Sequence, residues 1–371
     1  MRIAIVSEGW FPEVSGVTIA AAQHMRFLAA RGHELLFVHP RYPDDVMARM
    51  GRGEVPEPPA ERVLFESEAL APHRPESRIP TAAGARAIDE AIRRFGPAVV
   101  LYKNPDRLVP DLARPWKRRR VAGLDGARAA GAKAIPIVHT LMPLLVERSG
   151  GWLWRSPVGA ALTRRIWTGV YNEHFEFAVT VDVAARVYLQ SIGIRIPMLA
   201  GPWNGVDTTV FRPGPARVER RGAIRICWIG RLVPEKNAQL LPHLVAALRA
   251  RGCDFELEVI GDGPLAPMLQ RTMPAGSGAV LRGWLAPEAV AAALRDSDVY
   301  LSLSDTESYS LTASEALTSG VPVIAPDVIG FKRLAAMDVG RLFPAAWLRP
   351  DGMREMAGEI VAAIPRLDGW A

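Results

Sequence analysis

The stretch VYLSLSDTESYSLTASEALTSGVPVIAP, residues 299–326, changes its pattern three times. Its opening, VYLSLSDTE, reads as a buried strand running out into a polar loop, its centre as an Ala-rich helix over 312–319, and its end, PVIAP, as another strand. Strand, helix and strand in that order put the connecting loop at the C-terminal edge of a parallel sheet, where open α/β folds bind ligands. In ESYSLTASE that loop and helix start carry Glu307 and Glu315, eight positions apart. The pattern predicts Glu307, followed by Ser308, in the loop and Glu315 in the first helical turn. Between them the backbone N–H groups of Tyr309, Ser310, Leu311 and Thr312 meet the helix N-terminus, where unpaired donors favour a phosphate. A carboxylate on each side could hold a hydroxyl on either flank of a diphosphate, in outline a nucleotide-sugar site. Acidic side chains also suit such positions simply as complements to the helix dipole, so the rest of the chain has to decide.

The same logic repeats around this stretch. AIRICWIG reads as a strand that ends in GRLVPEKN, placing Arg231 and Lys236 on a strand-to-helix loop, where two cations can neutralise a diphosphate. GDGP supplies Gly261 and Gly263 for close backbone approach to a ligand after the strand FELEVI, and LRGWL puts Gly283 and Trp284 at another strand exit, near enough to contact a base. In the first half, RIAIVSE and HELLFVHP read as strands flanking a helix whose apolar face comprises Ile19, Ala22, Met25, Phe27 and Leu28. Ser15 and Gly16 precede that helix, where their amides could meet the diphosphate. PAVVLYK, AKAIPIVHT, FAVTVDV and RIPMLAGP continue the strand series, with His139 at the end of AKAIPIVHT. Strands alternating with helices of this length mean parallel sheets covered by helices. The Pro-, Gly- and charge-rich segment 202–222 has the composition of a boundary. The expected architecture is α/β, with two Rossmann-like domains, 1–201 and 202–371, facing each other across a cleft.

Bulk composition narrows the function. The chain has 371 residues, 49% of them hydrophobic, enough for two cores. Cys227 and Cys253 form neither a disulfide framework nor a metal-ligand spacing, which suits a reduced, cytoplasmic setting. The N-terminal apolar run is too short for a secretory signal, and AIPIVHTLMPLLV is too short to span a bilayer. A net charge of +6 permits nucleic acid, an anionic membrane or a nucleotide as partner. Trp152, Trp154, Arg155, Arg164, Arg165 and Trp167, with Arg118 to Arg120 upstream, mix rings and cations as membrane-interface segments do; core tryptophans beside solvated arginines account for the tract equally well.

With these residues assembled, the chain resembles the family 4 retaining glycosyltransferases of GT-B fold. The likeness runs through SEGWFPEVSGVT, RGHELLFVHP, NGVDTTVFRP, GRLVPEKN, VIGDGP and DSDVYLSLSDTESYSLTASEALTSGVPVIAP. It implies that Glu307 contacts the donor sugar and Glu315 the ribose, that Arg231 and Lys236 bind the diphosphate, that His139 lies beside the reacting sugar, and that Asn204 is near the hinge. It further implies a nucleoside diphosphate sugar (UDP- or GDP-linked) as donor, bound by the C-terminal domain. The acceptor would be a lipid, cyclitol or glycan hydroxyl at the N-terminal domain, with no cofactor, no metal and no nucleic acid. Three positions depart from the family pattern: Ser15-Gly16 replaces a Gly-Gly pair, DVIGFKR follows IAP in place of a Gly-Gly-rich turn, and Asp182 replaces a serine. Two other readings share the donor site, a nucleotide-sugar epimerase and a non-catalytic nucleotide-sugar sensor. A metal-dependent GT-A enzyme would need an Asp-x-Asp at a strand end, whereas Asp296 and Asp298 precede the strand VYLSLS.

Overall fold

In a computed structural model the described residues are 1–11, 13, 15–50, 57–71, 74–110, 120–149, 152–201, 204–214 and 222–363. The chain divides into two compact units, Met1–Gly205 and Val206–Ala371. The first holds β1 (Arg2–Ser7), β2 (Glu34–Pro40), β3 (Glu61–Phe65), β4 (Ser67–Ala71), β5 (Arg74–Pro80), β6 (Val99–Lys103), β7 (Lys133–Val138), β8 (Ala178–Thr180) and β9 (Met198–Ala200). Seven of these form one sheet in the order β3-β2-β1-β6-β7-β8-β9, while β4 and β5 pair as a separate hairpin. Every pairing in the large sheet is parallel, so both faces are covered and the inner strands are largely apolar. In β1, Ile3, Ala4, Ile5 and Val6 are all buried.

The second unit holds β10 (Ile224–Ile229), β11 (Phe255–Ile260), β12 (Ala279–Gly283), β13 (Val299–Leu301), β14 (Val323–Pro326) and β15 (Gly340–Phe343). They form a parallel sheet ordered β12-β11-β10-β13-β14-β15. Trp228, Leu244, Leu248, Val259 and Leu301 build the core on one side, and Cys227, Tyr300, Ala316 and Phe331 belong to that on the other. In both sheets the strand order reverses beside the first strand, at β1/β6 and at β10/β13. Such reversals leave a crevice at the carboxyl ends of the two strands. Each segment read as a strand contains one, although β3, the β4–β5 hairpin and β15 were not anticipated.

The first helix, Gly16–Ala30, departs from its expected face. Val17, Thr18, Ala20, Ala21 and Met25 are buried, whereas Phe27 is exposed, with the Arg31 guanidinium 3.4 Å from its ring centre. Gly16 does not precede this helix but is its first residue. Ser15 is the N-cap, and the Thr18 side chain answers it in a capping box, which satisfies two helix-end donors at once. Asp182 caps the helix Val183–Ser191, its Oδ1 accepting from Ala184 N–H at 2.6 Å. Aspartate and serine are comparable N-caps, so the departure at this position preserves the local structure.

The Trp/Arg tract divides. Trp167 is buried, its Nε1–H donating to Asp106 Oδ2 at 2.9 Å, so it belongs to the core. Trp152 is 83% exposed, and Arg164 makes an ion pair with Glu147. Arg118 and Arg119 lie outside the described residues. Among the described residues no helix is long and apolar enough to cross a membrane.

Candidate active site

The exit loops of β10 and β13, neighbours at the reversal, carry the residues singled out in the second half. Arg231 is exposed, two positions beyond β10, and Lys236 ends the short 3-10 turn Pro234–Lys236. Lys236 Nζ forms an ion pair with Glu307 Oε1 from the loop after β13. Asn237 adopts a left-handed conformation and donates from Nδ2 to Leu303 O at 2.9 Å. The GRLVPEKN loop is thus sewn to the loop that carries Glu307.

Ser310 is the N-cap of the helix Leu311–Thr318, its Oγ accepting from Ala313 N–H at 3.3 Å. Ser308 and Tyr309 precede it, and Leu311 and Thr312 open the helix, whose first N–H groups have no intrahelical acceptor. Glu315 lies in the second turn, not the first: helix geometry begins only at Leu311, and no acidic residue falls in the opening turn. Its side chain keeps some accessible surface, yet desolvation pushes the carboxyl up to about 7. Tyr309 and Ser310 are held from behind by Arg333, which was not foreseen as part of the site. Its guanidinium donates to Tyr309 O, to Gly330 O, to Ser310 O at 3.1 Å and to Ser314 Oγ at 2.9 Å, and stacks 4.1 Å from the Tyr309 ring centre. This clamp holds Ser310 at a positive φ of 59°, which costs a non-glycine residue of order 1–3 kcal/mol unless its surroundings enforce it.

The glycines divide by what they approach. A Cβ on Gly261 would lie 1.9 Å from Gly230 O, and one on Gly263 2.6 Å from Leu232 O. The close approach of these two positions is to the backbone of the GRL loop, joined here by Gly230 N–H to Ile260 O and Leu232 N–H to Asp262 O. Gly283 has open space where its Cβ would be, at φ 70°, and Trp284 beside it is 42% exposed. Within DVIGFKR, Gly330 donates its N–H to Glu307 O at 2.9 Å. A Cβ there would fall 2.6 Å from Glu307 Cβ, so this turn packs directly beneath Glu307. Asp298 directly precedes β13, and its Oδ2 accepts from Arg225 N–H at 2.9 Å, at the strand end remote from these loops.

In the first unit, the ends of β1, β6 and β7 bring together a buried polar cluster of which only His139 was anticipated. Asn104, in a left-handed conformation directly after β6, accepts at Oδ1 from His139 N–H (2.7 Å) and Thr140 N–H (3.0 Å), and donates from Nδ2 to Glu8 Oε1 (2.9 Å). Arg107 pairs with the same Glu8 oxygen at 3.1 Å. Burial pushes the Glu8 carboxyl up to about 8, with Arg107 acting against it. Lys103, fully buried, places Nζ 2.5 Å from His24 Nδ1 and 3.2 Å from His139 Nε2, and burial brings its amine down to about 7. Burial, Lys103 and His24 together hold His139 well below the usual imidazole range, and the Asn204 side chain acts weakly in the opposite sense. His139 Nδ1 and Asn204 Oδ1 are both buried, with no hydrogen bond closed at ordinary distance. A signal for the missed residues existed: Lys103-Asn104 and Glu8 are polar residues directly following apolar strands at the reversal.

Comparison with known proteins agrees with this geometry. Residues 223–364 match the glycosyl transferases group 1 family. A GDP-mannose-dependent alpha-mannosyltransferase of Mycolicibacterium smegmatis is 31% identical over 350 residues, which cover 91% of this chain and 82% of that protein. A GDP-mannose-dependent alpha-(1-6)-phosphatidylinositol dimannoside mannosyltransferase of Mycobacterium tuberculosis is 26% identical over 379 residues, covering 99% and 89%. Among solved structures, the sucrose-phosphate synthase of Thermosynechococcus elongatus superimposes with a TM-score of 0.69 at 16% identity, covering 100% of this chain and 91% of that one. The resemblance and fold expected from the sequence are thereby borne out: the chain belongs to the group 1 (family 4) glycosyltransferases of GT-B fold, enzymes that transfer a glycosyl unit from a nucleotide sugar.

Proposed function

We propose that this enzyme is a retaining mannosyltransferase that moves mannose from GDP-mannose to a hydroxyl of a lipid headgroup or related polyol. The observation that carries the reading is the junction of Lys236 with Glu307 across the β10 and β13 exit loops, in a chain whose similar proteins include several named GDP-mannose-dependent. The phosphatidylinositol named in another relative supports the lipid acceptor.

In this reading the donor diphosphate lies between Arg231, Lys236 and the N-terminus of helix Leu311–Thr318. The leaving group is an anion, so the main catalytic task is to stabilise charge that develops on it, which fixed donors do without reorganisation. The diphosphate draws Lys236 from Glu307 and frees that carboxylate for the sugar hydroxyls. Glu315 takes the ribose hydroxyls, Gly283 and Trp284 flank the base, and His139 with Asn204 is the group of the first unit assigned to the transfer step. In the first unit the Ser15 N–H already donates to Thr18 Oγ1 at 2.9 Å, which leaves Gly16 with the helix-opening amide. The leaving phosphate accepts the acceptor's proton, so no side chain is assigned as base.

Incubation with GDP-mannose and phosphatidylinositol, with NMR of the product's anomeric proton, tests this. A lipid-linked α-mannoside from the α-linked donor supports the proposal. A β-mannoside would refute retention, and conversion of the donor without any acceptor would favour an epimerase.

A further inference from the structure

Lys103 is the least expected charge in the molecule. It ends β6 at the reversal, is fully buried, and is neighboured by His24 of the first helix, by His139 after β7, and by Glu8 after β1. Its Nζ lies within hydrogen-bonding reach of two imidazole nitrogens. A lysine ammonium carries three N–H donors and no acceptor, whereas a neutral imidazole presents one N–H and one bare nitrogen. Charged or neutral, the amine has enough N–H groups to serve both rings. The reverse arrangement would require it to lose a proton and accept from a ring.

We propose that Lys103 is a positioning residue for His139: by donating from Nζ to Nε2 it holds the imidazole neutral, in the tautomer that carries its proton on Nδ1. That proton then points to the side where Asn204 Oδ1 is the buried acceptor without a partner. The second nitrogen bound by Lys103, His24 Nδ1, is likewise bare, which fixes His24 as the Nε2–H form and ties the first helix to the end of β7. Asn104 completes the support by holding the His139 and Thr140 N–H groups, so both ring and backbone of His139 are fixed by consecutive residues of β6 and its exit. A ring whose Nε2 is capped and whose Nδ1 is protonated offers no lone pair and cannot serve as a base. Its orientation, not its basicity, is what Lys103 preserves. The catalytic consequence rests on the role proposed above for His139; the tautomer does not.

The test is a two-bond proton–nitrogen correlation spectrum of the full chain labelled with 15N-histidine, His139 being assigned by its loss in His139→Gln. The expected result is a bare Nε2 and a protonated Nδ1. In Lys103→Met, which removes the donors while keeping an unbranched chain, the two tautomers mix, and Lys103→Arg restores the original form in part. Turnover of GDP-mannose by Lys103→Met falls about tenfold in kcat, because a displaced group near the reacting atoms costs rate, with the donor KM little changed. A protonated Nε2 in the unaltered protein, or an unchanged tautomer in a folded Lys103→Met, would overturn the proposal. A tautomer that shifts while kcat stays constant would instead remove His139 from the reaction and leave the Lys103 contact standing.

Discussion

Glu315 shows how one carboxyl links stability to binding. Desolvation raises it from 4.5 to about 7, so between those values the folded chain keeps a proton that the unfolded chain has lost. Stability therefore falls as pH rises through this window. In Glu315→Gln that part of the pH dependence disappears, which thermal unfolding at pH 5 and pH 7.5 would show as a smaller difference than in the unaltered protein. Donor binding runs the other way, because an ionised carboxylate accepts hydroxyl hydrogen bonds more strongly. GDP-mannose affinity is expected to climb as pH passes 7 and to lose this slope in Glu315→Gln, as calorimetry at pH 6 and pH 8 would report. At this scale Glu307, Glu315, Arg231 and Lys236 were legible because each sits at a fixed offset from a strand exit. Arg333 and Lys103 were not, because what singles them out is three-dimensional: a guanidinium reaching carbonyls more than twenty positions earlier in the chain, and an ammonium between rings contributed by different elements.

At the scale of elements, the DVIGFKR turn supports the donor loop from below, and its two key residues make separable predictions. Gly330→Ala drives a methyl into Glu307, and overpacking of this kind costs about 1–3 kcal/mol; a lower Tm together with weaker GDP-mannose binding is expected. Arg333→Ala releases Tyr309 and Ser310, and loss of hydrogen bonds from a charged donor costs about 1.5–3 kcal/mol. Donor affinity should fall by at least tenfold there, and Arg333→Lys should recover little, since one ammonium cannot reproduce the planar fork. If calorimetry finds donor affinity unchanged in Arg333→Ala, the clamp has no part in donor binding. The strands β1, β2 and β6 were legible because burial on both faces writes a near-continuous hydrophobic run, and β11 because buried Phe255, Leu257 and Val259 alternate with Glu256 and Glu258. The β4–β5 hairpin was not, since Pro75 and Pro80 lie within a charged segment that reads against strand. In GDGP the glycines were legible as a close approach, but sequence could not say that the neighbour is the GRL backbone.

Across the whole molecule, the chain builds the same device twice: a parallel sheet whose strand order reverses beside its first strand, with polar residues at the exits on either side. In the second unit those exits carry Arg231, Lys236 and Glu307; in the first, Glu8, Lys103 and Asn104. The net charge of +6 and the exposed Trp152 bear on where the molecule works. Co-sedimentation with vesicles rich in anionic lipid is expected at low salt and should weaken as salt shortens the screening length below about 10 Å. Equal binding to neutral vesicles would contradict an electrostatic contact. The central claim is that the β10 and β13 exits together bind a nucleoside diphosphate sugar, and titration calorimetry of GDP-mannose in the presence of EDTA tests it most directly. Saturable binding that is lost in Arg231→Ala/Lys236→Ala, while that variant stays folded, is the predicted result. Undiminished affinity in the folded double variant would contradict it.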